Sequence, residues 1–528
     1  MIRQITPSMR RHLYSASSAP WRELEWSRWD ACVIGSGPGG SVAAATLALA
    51  GKRVVLVERG AFRPPDDLNF SVLDMAMRLG HVDLTAGGRT TLHSGRVLGG
   101  GSVIFGAVAM QPPSYVFDEW AEASGIPELT SSLLAPHYAC VGDVLSVTRQ
   151  TVRQENRANA IVRQMAEAMG HEDGLELAQR YTAGCRGTGL CTLGCGFDLK
   201  GTMVNSFLPL GLETGNLTIL TECEAVAFET ELARDGALAV ALHVVLRGAQ
   251  DTLPVRLRIR AKSFVSASGS LPTSALLMRS RLRRSACPGG QVSLQPHGIV
   301  HATFDEPVTY RGHRDNGRYL PMNGVPAIYN FTGLLQQRGY YWFASSVHPS
   351  SLAAYTAHLP PDEHRQIMER FHYTSSITVT LRDNPERSRI DLRHDSPHLD
   401  FVESVRDCDA LRRCFLDAAR ALLAVGARQV FLPMLRPPRI STDSDLMAVA
   451  EAPMSYDRML LYSDHTSGGN ALGVDRRHGV TDLHGRVHGT TNVYVADASL
   501  FPSASGVAPS WTIMAFARMI ALNLGATL

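Results

Sequence analysis

The thirty residues from Ala31 to Gly60 constrain this 528-residue chain more than any other stretch. Cys32-Val33-Ile34 is short, apolar and largely β-branched, as a buried parallel strand requires. Gly35-Ser36-Gly37-Pro38-Gly39-Gly40 follows at once and gives G-x-G-x-x-G through Gly35, Gly37 and Gly40. Ser41 to Ala50 is small and helix-forming, and Lys52 to Val57 predicts a second strand ending at Glu58. Gly35 permits the tight turn, Gly37 lets a pyrophosphate approach the backbone, and Gly40 lets the helix pack on the strand. The helix N-terminus then presents its unpaired N–H groups and positive dipole end to the phosphates. Glu58, 21 residues beyond Gly37, is placed to accept hydrogen bonds from ribose hydroxyls. Alone, the glycine pattern is weak evidence. Between two strands, with an acid at this distance, it specifies a dinucleotide site.

A chain this long exceeds one core, so two domains or one elaborated domain are expected. The composition is 45% apolar and 19% charged with a net charge of +2, which gives no electrostatic case for nucleic acid or anionic membrane. The longest apolar windows are too short or too polar to span a bilayer. The N-terminus lacks the apolar run of a secretory signal. Nine sparse cysteines, an odd number, make a reduced, cytoplasmic protein the expectation.

Residues 1–27 read as an irregular arm, and a helix is expected near Ser71 to Leu79. Gly95 to Met110 is glycine-rich and otherwise apolar, which suits backbone laid against a flat ligand. An amphipathic pattern runs through Leu133 to Leu145. Cys185, Cys191 and Cys195 follow at C-x5-C-x3-C, inviting an iron–sulfur or zinc reading. Three thiols lack the fourth ligand of a closed site, and the surrounding glycines suggest a tight loop with packing thiols. No metal is expected. Strands are predicted at 217–220, 225–229, 237–246, 253–259 and 262–270. Residues 291–454 alternate more and are aromatic at Tyr340 to Phe343, predicting an antiparallel sheet and a helix near Asp407 to Val425.

The C-terminal region is the most specific. It holds HTSGGNALG from His465, VHGTTNVYVADASLFPS from Val487, and GVAPSWTIMAFA from Gly506. With the first glycine motif and LGGGSVIFG from Leu98, the chain resembles the glucose–methanol–choline family of FAD oxidoreductases, most of all its cholesterol-oxidase and long-chain-alcohol-oxidase branch. The resemblance covers both ends of the chain and is weaker in the middle. It implies an α/β fold, with a discontinuous Rossmann-like FAD domain of residues 28–110, 200–290 and 455–528. Residues 111–199 and 291–454 would form an α+β substrate domain. The FAD contacts it implies are Gly35, Gly37, Pro38, Gly39, Gly40, Glu58, Arg59, Gly99, Gly100, Gly101, Ser102, Phe105, Gly106, Asp497, Ala498 and Ala508, with Val226 pairing adenine through its backbone. Attachment is expected to be non-covalent, because the run from Gly99 to Gly106 holds no His or Cys and His93 lies outside it.

His465 matches the family's catalytic histidine, a base suited to operating pH. Relatives carry Asn or His where this chain has Ala508, and commonly Asn where it has Phe105, so two polar groups give way to apolar ones. Ser505 or Ser510 stands as a replacement donor. Two function classes stay open. One is FAD-dependent oxidation of a CH–OH group in a hydrophobic small molecule, with oxygen or a carrier as electron acceptor. The other is a repurposed flavoenzyme of secondary metabolism that performs desaturation, oxidative cyclisation or a redox-neutral rearrangement.

Overall fold

The computed structural model describes residues 3–68, 71–85, 90–182, 184–246, 255–282, 287–308, 313–315, 318–320, 324–346 and 348–528. The predicted Cys32–Ile34 strand lies within Arg28–Ile34, the central strand of a parallel sheet. On one side it pairs with Val54–Val57, then Leu217–Leu220, then Leu13–Tyr14. On the other it pairs with the far half of Val255–Ser266, which in turn pairs with Val493–Val495. All four residues of Val54–Val57 are buried, each stabilising the core by roughly 1.5–3 kcal/mol. Their β-branched content suits a sheet covered on both faces.

The helix Pro38–Leu49 begins one residue after Gly37, with Pro at its first position and no side chain capping its N-terminus. Its small residues let the C-terminal helix Ser510–Thr527 pack across it. Close approach dictates two of the glycines. A Cβ at Gly40 would lie 1.9 Å from the Gly35 carbonyl oxygen, and one at Gly39 would lie 1.9 Å from the Ala496 carbonyl oxygen.

Val255–Ser266 serves two sheets. Its first half pairs antiparallel with Gly236–Leu246, which pairs with Cys223–Ala233. Residues 253 and 254 of that predicted strand lie outside the described residues. The second large sheet is antiparallel through His297–Thr303, Thr374–Leu381, Tyr340–Ser345 and Tyr329–Phe331. Gly80–Leu84, Thr91–Gly95 and Tyr462–Ser463 extend it beyond His297–Thr303, although all three fall in segments assigned from the sequence to the FAD domain. Helix Val405–Ala424 is opened by a capping box between Ser404 and Asp407, and its buried Leu411, Phe415 and Leu422 cover this sheet.

The strands expected at 253–259 and 262–270 are one strand, Val255–Ser266, and Ser270 already begins a helix. Two further predicted elements differ. The N-terminal arm is not irregular throughout: Leu13–Tyr14 adds an edge strand and Trp21–Trp26 forms a helix. The helix near Ser71 is one α-turn, Val72–Asp74, followed by π-helix over Met75–Leu79. Among the described residues no helix is long and apolar enough to cross a membrane.

The 1.9 Å approach at Gly40 makes a direct prediction. Gly40→Val must separate helix from strand and should cost more than about 3 kcal/mol. Thermal unfolding reads this; a wild-type Tm would show that the close approach does not exist.

Candidate active site

The first loop is held by one carboxylate. Glu58 is buried, and its Oε2 accepts hydrogen bonds from Ser36 N–H (2.9 Å) and Ser36 Oγ–H (2.6 Å). Its Oε1 accepts from Gly60 N–H at 2.6 Å. Ser36 Oγ in turn accepts from Gly99 N–H at 2.9 Å, which draws the second glycine run onto the first. Burial raises the Glu58 carboxyl, against the lowering effect of these bonds. Three of about four lone-pair positions on Glu58 are thus already taken, so its main work is holding the loop, with one position left for a ribose. Arg59 beside it is half-buried.

The two glycine runs meet backbone to backbone. A Cβ at Gly100 (φ +53°) would lie 2.7 Å from Gly37 Cα, whereas Cβ atoms built on Gly37, Gly101 or Gly106 would meet no protein atom within 4 Å. Gly37 therefore borders open space beside an uncapped helix N-terminus. Those residues fit a pyrophosphate: unpaired N–H groups, a dipole end and room that a side chain would fill. Ser102 fixes the second run, donating to the Gly99 carbonyl at 2.6 Å and accepting from Met203 N–H at 3.0 Å. Phe105 stacks on Tyr181, ring centroids 5.3 Å apart.

Three expected contacts look different in three dimensions. Asp497 accepts from Gly269 N–H and Thr273 Oγ–H through Oδ2, and from Ser499 N–H and Oγ–H through Oδ1. Its carboxylate caps the turn Ala498–Leu500, which Ala498 opens, and clamps the Gly269 loop; the nearby Ala496 carbonyl lies against Gly39. Val226 is the bulged residue between Ala225 and Ala227, and its carbonyl accepts from Arg279 Nε at 2.7 Å, so half of the expected adenine pair is occupied. Ser510 opens the last helix with its hydroxyl 3.0 Å from that of Tyr181. No described hydrogen bond joins it to His465. Ser505 donates to the Val507 carbonyl at 2.7 Å, behind the histidine.

His465 sits in a cluster that sequence reasoning missed. Gln295 Nε2 lies 2.8 Å from His465 Nδ1. The Gln295 amide can take only one orientation, because Gly506 N–H donates to Oε1 at 2.8 Å and Nε2 donates to the Val507 carbonyl at 2.9 Å. Nε2 therefore donates to Nδ1, and the neutral imidazole carries its proton on Nε2. Gln295 itself has a left-handed φ of +47°, uncommon for a side-chain-bearing residue and held by Asp383, which accepts its N–H at 2.9 Å. Burial pushes the Asp383 carboxyl up to about 7.

Asp464 Oδ1 lies 3.5 Å from His465 Nε2 and 2.8 Å from His297 Nε2, the latter off the axis of an aligned hydrogen bond. The imidazoles of His297 and His465 meet edge to face at 4.5 Å. His297 is positioned by its strand, which pairs it with Tyr462, and by Thr380 Oγ1, 2.8 Å from its Nδ1. The Asp464 side chain is 44% accessible, although neighbouring protein atoms also desolvate it. That desolvation raises its carboxyl, and His465 and His297 more than reverse it, holding it below the usual carboxylate range. Burial pushes His465 down to about 4, against the upward pull of Asp464. Ala508 completes the wall by packing against Met110, Leu335, Tyr341 and Val507. The only sequence signal for this cluster was the adjacency of Asp464 and His465; nothing marked Gln295 or His297.

Two outcomes follow from this geometry. Gly37→Val should leave a folded protein that purifies without flavin, because the new side chain meets cofactor space and no protein atom. A yellow Gly37→Val holoprotein would overturn the assignment. Because folding lowers the His465 pKa from 6.5 to about 4, the histidine stabilises the fold above pH 6.5 and that contribution is lost as pH falls towards 4. The loss is at most about 3 kcal/mol. Denaturation midpoints at pH 7 and 4.5 should therefore converge in His465→Gln relative to wild type; an unchanged gap would place the acid sensitivity elsewhere.

The GMC oxidoreductase family profiles match residues 31–301 and 374–517. The chain is 25% identical to the long-chain-alcohol oxidase FAO3 of Arabidopsis thaliana, over 94% of this chain and 67% of that protein. It is 26% identical to 6'''-hydroxyparomomycin C oxidase of Streptomyces lividus, over 94% of this chain and 92% of that one. Its fold superposes on formate oxidase of Aspergillus oryzae with a TM-score of 0.71 at 15% identity, covering 95% and 98% of the two chains. With both halves matched and a dinucleotide cradle of this form, the chain belongs to the GMC oxidoreductase family and is an FAD-dependent oxidoreductase.

Proposed function

We propose that this protein oxidises a CH–OH group of a largely apolar small molecule, with His465 and Asp464 handling the hydroxyl. The observation that carries this reading is the fixed Gln295–His465 contact beside an accessible, ionised Asp464. Bound FAD would supply the hydride acceptor. From the sequence His465 is the expected base; the orientation of Gln295 supports a different division of labour. With Nδ1 filled by the Gln295 amide, His465 offers Nε2–H and holds the substrate oxygen. Asp464, kept anionic by two imidazoles, then receives the hydroxyl proton. A low-pKa carboxylate is a weak base, but it suffices here: once the hydride leaves, the substrate is a protonated carbonyl and gives up its proton readily. The wall of Ala508, Met110, Tyr341 and Val507 favours an apolar group at the reacting carbon.

The repurposed reading rests on Ala508, which sits in that apolar cluster where alcohol-oxidising relatives are expected to carry a polar partner. It predicts no reduction of the flavin by simple alcohols.

Anaerobic mixing with hydrophobic primary and secondary alcohols should bleach the flavin absorbance. Asp464→Asn should lower kcat/KM at least ~100-fold, the scale of a lost general base. His465→Gln keeps an N–H donor and should lose no more than about tenfold, the low end for a hydrogen bond to a charged group. The reverse ranking would return the base to His465. A flavin that no alcohol bleaches would favour the repurposed reading.

A further inference from the structure

Gln295 sets the tautomer of His465, and one buried carboxylate sets Gln295. Asp383 is 3% exposed, and its oxygens accept from two consecutive amides, Leu294 N–H at 2.8 Å and Gln295 N–H at 2.9 Å. The Leu294 carbonyl accepts from the Ser463 hydroxyl, and Ser463 adjoins Asp464 in the chain. His297 opens its strand two residues beyond Gln295. Residues 294–297 therefore reach His465, Asp464 and His297 together, and Asp383 grips the first two.

The surroundings of Asp383 hold a second acid and no counter-charge. Asp407, 2% exposed on helix Val405–Ala424, accepts from Asn384 N–H at 2.9 Å and Ser404 N–H at 3.2 Å. Its charge acts directly on Asp383. Tyr456 faces both carboxylates with a buried hydroxyl that makes no described hydrogen bond, and Glu403 and Cys408 are the other titratable groups around that ring. Arg382, next to Asp383 in the chain, is directed to Glu119 and the Ala504 carbonyl. Arg412, which faces Cys408, is taken by the Ala450 and Ala452 carbonyls. Among the described residues no cation pairs with Asp383 or Asp407.

Two buried like charges without a counter-ion are costly, and a proton shared by the pair lowers that cost. Burial, and after it the Asp407 charge, push the Asp383 carboxyl up to about 7, against the lowering effect of its amide donors. Protonation weakens its hold, because a hydrogen bond to an ionised acceptor is roughly twice as strong as one to a neutral acceptor. Gln295 has a left-handed φ of +47°, a conformation that lasts only while neighbours impose it. We propose that Asp383 is a positioning residue that locks and releases the active site with its proton. Ionised, it pins Gln295, whose amide then holds His465 in one tautomer. Protonated, it frees the Gln295 backbone, and the imidazole loses its fixed donor.

The lock needs no substrate, whereas its effect on turnover rests on the oxidation assigned above to His465 and Asp464. Those two groups do not change charge near neutral pH, since His465 is pushed down to about 4 and Asp464 lies below the usual carboxylate range. Solvent supplies the proton as pH falls, and no covalent bond other than O–H forms or breaks.

The test compares FAD-loaded wild type and Asp383→Asn at pH 6 and 8.5. Folding raises the Asp383 carboxyl from 3.8 to about 7, so its contribution to stability is complete below pH 3.8 and is lost as pH rises through 7. Between the two pH values the unfolding constant of wild type should rise about 10-fold relative to Asp383→Asn. NMR of isotope-labelled histidine, with the His465 signal identified by its loss in His465→Gln, should show one tautomer at pH 8.5 and an averaged pair at pH 6. In Asp383→Asn the averaged pair should appear at both. On an alcohol that bleaches the flavin, wild-type kcat/KM should fall about 10-fold from pH 8.5 to 6 and stay low and level in the variant. Should Asp383→Asn fail to fold, Asp407→Asn decides, because removing the repelling charge should move the tautomer step to lower pH. A wild-type tautomer unchanged between the two pH values would overturn the proposal, as would a step that survives Asp383→Asn or ignores Asp407→Asn. If the tautomer step is present but no alcohol bleaches the flavin, the lock stands and only the assigned oxidation falls.

Discussion

Much of this structure depends on a buried junction of three atoms' worth of chemistry: the Glu58 carboxylate, the Ser36 hydroxyl and the Gly99 amide. Burying a carboxylate is unfavourable unless donors surround it, and Ser36 and Gly60 provide them. The serine both donates and accepts, so it joins the end of the second strand, the first glycine loop and the distant second glycine run. Losing any one member would strand a buried polar partner and cost its full desolvation. The cofactor cradle is therefore shaped before any cofactor arrives, which lowers the ordering cost of binding.

Behind His465 the same logic runs through a neutral amide. Asp383 holds the backbone of Gln295 in a left-handed conformation, and the amide, read unambiguously by Gly506 and Val507, fixes the imidazole. Strain of this kind survives only where neighbours over-determine it. The result is a histidine whose tautomer is set by the scaffold, beside a carboxylate whose charge is set by two imidazoles.

What could be read from sequence was what sterics force locally. A Cβ on Gly39 or Gly40 would lie 1.9 Å from a carbonyl oxygen, so no other residue fits and the pattern is visible in one dimension. The strands at 217–220 and 236–246 were legible because buried alternation and β-branching are local signals. Gln295 and His297 were not, because they reach His465 only through the pairing of His297 with Tyr462, 165 positions away. Asp497 and Val226 were named through the family resemblance, whereas their partners Thr273 and Arg279 come from a helix whose packing no motif encodes. The two-residue strand Leu13–Tyr14 is too short to show a period.

The strand Val255–Ser266 belongs to two sheets at once, with its first half in the hairpin and its second beneath the nucleotide loop. Mechanically it is a lever with no hinge. A twist imposed on the hairpin is carried along continuous backbone to Ser266 and the Gly269 amide, where Asp497 grips it. The hairpin Cys223–Leu246 is thus an appendage in sequence but not in mechanics, and a partner or insertion that bends it acts on the cofactor cradle without touching it.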